Sequence, residues 1–326
     1  MLGRSLMTTL IGAICMVGAY YIDFTFIGRY PKSIFTGLTG LSILSMFLLP
    51  LIRGRYLYVQ FILLIFPTVM AGILYQMRNK GYMGIILSGA FFLIPVFIGL
   101  RTASIGLVVL ISLSFLILIT MAVIKGWFKV NKLYGMFLIY LATFSAVIVG
   151  FIRIMSHSYE RQRLFNMINP YKDPLGNGYI SIRMREILAG AKFIGRGDLG
   201  TSGYMIPEIN TNYIMTFLIH RLGWISFIAI IGLISFLIIR SFSLSLRQKS
   251  ILGKLISTAV LLTFTMEVVL YIITNLGLPL IGSVTLPFIS YSGMSTVVNM
   301  FLIGNMLSVF KSGHMVKDSF VLPYSG

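Results

Sequence analysis

The residues of this chain that could do chemistry are concentrated between Arg153 and Asn212, where five of its eight acidic side chains fall: Glu160, Asp173, Glu186, Asp198 and Glu208. The segment closes on Met205-Ile-Pro-Glu-Ile-Asn-Thr-Asn-Tyr-Ile214, in which Glu208 and Asn212 stand four apart. If a helix has begun by Pro207, the two share one face; if it begins later, Asn212 suits its N-terminal cap. On spacing alone, a plain polar residue at a water–lipid boundary is the simpler account of Asn212. Upstream, Arg161 and Arg163 precede a turn-rich run, Asn169-Pro-Tyr-Lys-Asp-Pro-Leu-Gly-Asn-Gly178, and a helix-like stretch from Tyr179 to Phe193 carries Arg183, Arg185 and Lys192. Gly195-Arg-Gly-Asp-Leu-Gly200 then spaces glycines so that backbone N–H groups could approach a phosphate, with Arg196 beside them to neutralise it. The same spacing also reads as an ordinary loop.

Three further groups lie downstream. His220 and Arg221 sit just before Gly223, at a depth where ionisable side chains normally face a bundle interior or an aqueous cavity. Glu267 is the one acidic residue in the middle of an apolar run. A carboxylate there is a functional candidate by default, and a structural reading, in which it pairs with a basic helix end, stands beside it. Leu286-Pro-Phe-Ile-Ser-Tyr-Ser-Gly293 is either a plain Pro-Gly helix entry or a broken helix whose Ser290 and Tyr291 line a cavity. The three histidines, His157, His220 and His314, are scattered and suggest no metal cluster. Cys15 is the only cysteine, which rules out a disulfide within the chain and a cysteine-rich metal site. No cofactor is evident.

The elements that must position these groups are membrane helices. Hydrophobic residues make up 57% of the 326 and charged residues 10%, where a soluble domain carries roughly 25% charged residues. The apolar runs are too long for barrel strands, and only helices otherwise satisfy their own backbone in lipid. The sequence therefore predicts an all-α polytopic membrane bundle of about nine spans: Leu6–Ile22, Ile34–Ile52, Tyr58–Met77, Met83–Leu100, Ser104–Ile124, Leu133–Ile152, Gly223–Ile239, Leu255–Leu276 and Ile289–Phe310. We read residues 1–326 as one membrane domain, with residues 153–212 as a single large loop before the seventh predicted span.

The net charge of +18 does not mark a nucleic-acid protein, because the basic residues punctuate the ends of apolar runs. One set of alternate loops, with the C-terminal tail, holds thirteen of them: Arg29, Lys32, Arg78, Lys80, Lys125, Lys129, Lys132, Arg240, Arg247, Lys249, Lys254, Lys311 and Lys317. The other set holds four: Arg4, Arg53, Arg55 and Arg101. The positive-inside rule then makes the first set cytoplasmic. The large loop and the hairpin at Leu278–Phe288 lie outside, the C-terminus inside, and the N-terminus outside.

Taken in order, Asn169 to Tyr179, Gly195-Arg-Gly, Pro207-Glu-Ile-Asn-Thr-Asn-Tyr-Ile214, Leu222-Gly223 and Leu286-Pro-Phe-Ile-Ser-Tyr291 resemble the FtsW/RodA/SpoVE (SEDS) family of bacterial cell-wall growth. The resemblance runs from about Arg161 to the C-terminus; the N-terminal half is similar in hydropathy alone, and Gln76-Met-Arg-Asn-Lys-Gly81 stands where the family has Gln-Pro-Asp-Leu-Gly. That family has ten spans with both ends cytoplasmic, so nine imply that the first is the one absent.

The resemblance implies peptidoglycan glycosyl transfer on the outer face, with lipid II as substrate and a class B penicillin-binding protein as partner. It also implies Arg163, Arg183, Arg185 and Arg196 against the lipid pyrophosphate, for which a divalent cation is a further candidate partner. The carboxylate that would help deprotonate the acceptor hydroxyl falls, by motif, on Asn212. An amide can hold a hydroxyl by hydrogen bonds but takes no proton at neutral pH. General-base contributions run to about 10²–10⁴-fold, so this position marks the enzyme as impaired unless Glu208 or Glu267 replaces the base. His220 and Arg221 replace two family glutamates, and Ser292 and Met294 alter a Ser-Tyr-Gly-Gly-Ser-Ser turn. Two other readings stand beside the polymerase. A lipid-linked-sugar transporter would use Glu267 and a broken last helix. A non-enzymatic scaffold for the penicillin-binding protein would need no base at 212.

Overall fold

A computed structural model of the chain describes residues 2–49, 56–102, 105–156, 161, 165, 169–176, 178–198, 206, 209, 212–278, 285–286 and 293–313. All regular structure among them is helical: α1 (Leu2–Tyr21), α2 (Thr25–Arg29), α3 (Pro31–Leu48), α4 (Leu57–Leu63), α5 (Phe66–Met77), α6 (Gly81–Arg101), α7 (Ile105–Ile124), α8 (Lys132–Ser156), α9 (Tyr179–Ala189), α10 (Ile214–Leu222), α11 (Trp224–Leu246), α12 (Ile251–Asn275) and α13 (Gly293–Ser312). Among the described residues, eight helical stretches are long and apolar enough to cross a bilayer, α4 and α5 counting as one, and α1 adds a shorter apolar stretch, Leu6–Tyr21. The all-α polytopic expectation therefore stands. The break between α4 and α5 falls just ahead of Pro67, whose ring and missing N–H suit the first turn of a new helix.

The chain forms two compact units. One comprises Met1–Tyr140, Ile239–Met266 and Gly293–Gly326; the other comprises Leu141–Ile238 and Glu267–Ser292. In the first unit α1 packs along α13. The approach is close because glycines face it: a β-carbon on Gly12 would lie 2.6 Å from the Met300 sulfur, and one on Gly304 would lie 2.8 Å from Ala19 Cβ. Small residues at such seams are how membrane helices gain contact without a hydrophobic driving force between them. Phe35 meets Phe66 and Phe91 edge-on, and Phe92 stacks on Phe115 at 4.2 Å. Ser245 hydrogen-bonds Ser257 at 2.6 Å and Thr258 at 3.1 Å, which ties α11 to α12 through hydroxyls. A groove of about 690 Å³ opens in this unit, with Ile43 and Phe47 of α3 on one wall and Leu93 and Phe97 of α6 on the other, and Arg101 at one end.

The second unit is built on part of α8, α9, α10, most of α11 and the end of α12. Outward-facing Phe144 and Val149 on α8, with Ile228 and Phe236 on α11, give it the apolar surface that a bilayer requires. In α9 the spacing of Ile180, Met184 and Ile187 turns one face inward, where they meet Ile206, Ile209 and Tyr213. Arg183 flanks this face, and Glu186 beside it is exposed. The helix predicted from Tyr179 to Phe193 stops at Ala189: the Ala191 N–H tightens onto the Leu188 carbonyl, and the Gly190 carbonyl accepts from Asp198 instead of from the helix.

Candidate functional site

Four of the expected site residues, Glu208, Arg163, Ser290 and Tyr291, lie outside the described residues. The others belong to the second unit, arranged around α10 and the end of α12.

The helix after the Pro-Glu-Ile-Asn-Thr-Asn run begins at Ile214, with Tyr213 in the capping position and no side-chain cap of its own. Asn212 stands in the turn just before. It lies one residue ahead of the capping position and is not itself helical. The capping is done from α12. The Tyr271 hydroxyl accepts the Met215 N–H at 3.1 Å, and Asn275 Oδ1 accepts the Thr216 N–H at 3.2 Å. Two of the amides that every helix start leaves without an internal partner are thereby satisfied across the tertiary structure. Asn275 also reaches the turn itself, donating from Nδ2 to the Asn212 carbonyl at 3.0 Å and to the Tyr271 carbonyl at 3.0 Å. Thr216 Oγ1 donates to the Asn275 carbonyl at 2.8 Å.

Glu267, Tyr271 and Asn275 are spaced four apart and form one buried polar face of α12, with Glu267 only 1% exposed. At 1.5 Å per residue, Glu267 lies about 12 Å along the helix from the amide that holds Asn212. Tyr271 and Asn275 escaped the reading of the sequence, although polar residues at i, i+4 and i+8 of an apolar run mark a single face.

The glycine turn after α9 proves to be the cap of α10's far end. The Gly195 N–H donates to the Leu222 carbonyl at 3.1 Å, the Gly197 N–H to the His220 carbonyl at 2.8 Å, and the Asp198 N–H to the Gly190 carbonyl at 3.0 Å. The Trp224 and Ile225 amides return bonds to the Lys192 and Phe193 carbonyls. The phosphate-cradle expectation for these backbone amides is thus corrected: they serve the chain itself. Gly223, at φ +95°, makes the sharp turn into α11 possible, and a β-carbon there would lie 2.8 Å from Ile194 Cα. Arg196 remains exposed on this loop. Because the loop is tied to the C-terminal end of α10 and Asn212 precedes its start, about 13 Å of helix separates their attachment points.

Several of the other charged residues have assignable work. Arg183 donates to Glu186 Oε2 at 2.7 Å and lies over the Tyr179 ring at 5.7 Å. The bond to Glu186, and secondarily one to Tyr179, raises its pKa above the ordinary arginine value. The Arg185 stem packs on Gly277, where a β-carbon would lie 3.0 Å from its Cγ. Asp173 closes a turn by accepting the Gly176 N–H at 3.0 Å. His220 is fully buried, while Arg221 is exposed and lies over the Phe217 ring at 5.7 Å. Among the described residues, no three His, Cys, Asp or Glu side chains converge as a metal site.

Long apolar helices carrying a buried polar helix junction define this chain as a polytopic helical membrane protein. It belongs to the FtsW/RodA/SpoVE family, described as cell cycle proteins, which matches residues 1–314. It is similar to the peptidoglycan glycosyltransferase MrdB of Escherichia coli strain K12, at 28% identity over 196 residues, 58% of this chain and 51% of that protein. It is also similar to stage V sporulation protein E of Bacillus subtilis strain 168, at 29% identity over 164 residues, 49% of this chain and 44% of the relative. The chain spans about half the length of the curated relatives it matches. In fold it resembles a chain of a peptidoglycan synthase complex studied for coordinated polymerization and crosslinking, with TM-score 0.76 at 18% identity, covering 97% of this chain and 90% of the other. It likewise resembles the rod shape determining protein RodA of Thermus thermophilus, with TM-score 0.63 at 16% identity, covering 97% and 89%.

Proposed function

We propose that this chain is a membrane protein of bacterial peptidoglycan assembly that binds the undecaprenyl-linked precursor lipid II at its outer face. Family membership over residues 1–314 supports the process. The observation that carries the site is the turn at Asn212, held by Asn275 at the start of α10, in the position of the family's carboxylate. In glycosyl transfer the acceptor hydroxyl attacks the sugar carbon bearing the pyrophosphate, and the pyrophosphate departs with its charge. The departing charge is met by guanidinium groups, for which Arg163, Arg183, Arg185 and Arg196 are the candidates. The hydroxyl proton needs a base, and Asn212 supplies a hydrogen bond but no basic site. The chain therefore recognises lipid II and polymerises it poorly.

Basic residues favour the orientation with residues 153–212 outside and the C-terminus in the cytoplasm. Taken by itself, the groove between α3 and α6 has apolar walls and Arg101 at the end assigned to the outer face, which suits a polyprenyl diphosphate. The likeness in fold to a chain of a synthase complex supports a class B penicillin-binding protein as partner. In that complex-bound state a scaffold needs no base, which is the reading Asn212 favours over a free-standing polymerase.

The test is lipid II polymerisation by the purified protein, wild type against Asn212→Asp. The Asp variant should exceed the wild type by about 10²–10⁴-fold, the range a general base contributes. Strong polymerisation by the wild type would overturn the assignment of Asn212. Inactivity of both forms, with lipid II binding and co-purification of the partner intact, would favour the scaffold.

A further inference from the structure

We propose that Asn275 is a positioning residue, which fixes the turn carrying position 212 from outside the motif. The inference rests on the reading that position 212 faces the reacting groups. Every hydrogen-bonding direction of the Asn275 amide is engaged. Its NH₂ gives one bond to the Asn212 carbonyl and one to the Tyr271 carbonyl, and its oxygen takes the Thr216 N–H. The opposite orientation of the amide would set its oxygen against two carbonyls and its NH₂ against an N–H, so the network admits one orientation only. The side chain is fully buried.

The residue itself is rigidly placed. At the end of α12, the Gly277 N–H returns to the Thr274 carbonyl and the Leu278 N–H to the Ile273 carbonyl, with Gly277 at φ +82°. This is the paired closure that glycine permits at helix ends. Asn275 therefore acts as a fixed post. It grips the turn before α10 at the Asn212 carbonyl, and with Tyr271 it grips the second and third amides of the helix.

The grip on residue 212 uses its backbone carbonyl. It is therefore indifferent to which side chain stands there, and exchange between Asn and Asp leaves these bonds unchanged. A post of this kind matters because misplacing a reacting group by about 1 Å can cost on the order of 10²-fold in rate.

The experiment reads the turn directly. In a Cys15→Ser background, Asn212→Cys is labelled with a nitroxide and its spectrum recorded in nanodiscs. Asn275→Asp keeps the size of the side chain and its bond to Thr216 but puts an oxygen against the Asn212 carbonyl. It should introduce a mobile component at position 212, while a control label at Ser145→Cys is unchanged. Tyr271→Phe, a milder change, serves if the Asp variant does not fold. It should loosen the label at 212 in the same sense and speed exchange of the Met215 amide about tenfold. Unchanged spectra at 212, or equal loosening at the control position, would overturn the proposal. A silent polymerisation assay with Asn212→Asp would tell against the functional reading while the label still reports on Asn275.

Discussion

Gly197 is pressed against His220. Its N–H donates to the His220 carbonyl at 2.8 Å, and a β-carbon in its place would lie 2.8 Å from His220 Nε2. The contact joins the loop after α9 to the far end of α10, and it commits amides of the glycine-spaced turn to the chain itself. The donors that would have met a phosphate close the end of a helix.

Gly197→Ala should therefore act on the fold first. The added methyl has backbone on one side, at Gly190, and a fully buried imidazole on the other. Overpacking of this kind costs about 1–3 kcal/mol. The expected outcome is a Tm lower by several degrees in a detergent melt. An unchanged Tm would mean that the loop can shift away from His220 without cost.

The arginines should not contribute equally to lipid pyrophosphate binding. Arg183 is committed to Glu186, whereas Arg196 is exposed on the capping loop. A charge-assisted hydrogen bond contributes about 1.5–3 kcal/mol, so Arg196→Ala should weaken binding of lipid II by about tenfold or more. Arg183→Ala should weaken it by less, and Glu186→Gln should strengthen it by releasing the Arg183 guanidinium. Titration in nanodiscs at fixed salt checks the order. The sign of the pH effect follows from the raised pKa of Arg183: its contribution is complete below the ordinary arginine value and is lost only above the raised one. Across about pH 6 to 9 this residue should therefore leave binding flat.

The polytopic helical class was legible in the sequence because length and apolar composition alone decide which segments can cross a bilayer. The helix after Gly178 was legible as a helix-like stretch, but its inward face of Ile180, Met184 and Ile187 was passed over. The groups that hold Asn212 were not legible. Tyr271 and Asn275 lie about sixty residues downstream, in a span whose hydropathy hides them, and their partners are backbone atoms that no motif records. The turn at Gly195 was ambiguous for a related cause: its amides are satisfied by His220 and Leu222, across a distance in sequence that local spacing does not reveal.

Glu267 separates the polymerase family reading from transport. It is buried on the face of α12 that continues to Tyr271 and Asn275, about 12 Å from the latter along the axis. On the reading proposed here it belongs to the support of that face. Proteoliposomes should show no movement of fluorescent lipid II between leaflets, for the wild type or for Glu267→Gln. Movement by the wild type that Glu267→Gln abolishes would establish the transporter instead.

The groove between α3 and α6 offers the last test, because its two ends of the chemistry can be separated. Phe47 is 84% exposed on one wall, and Arg101 lies at the end, its guanidinium over the Phe97 ring at 5.6 Å. A photoreactive phenylalanine in place of Phe47 should crosslink a polyprenyl diphosphate. A basic residue near an anionic membrane surface contributes about 1 kcal/mol. Arg101→Glu removes one such attraction and adds a comparable repulsion, so the concentration giving half-maximal crosslinking should rise about thirtyfold. A neutral polyprenol should crosslink about equally in both forms, since it meets the apolar walls alone. Equal loss of both probes would show that Arg101 shapes the groove and does not read the head group.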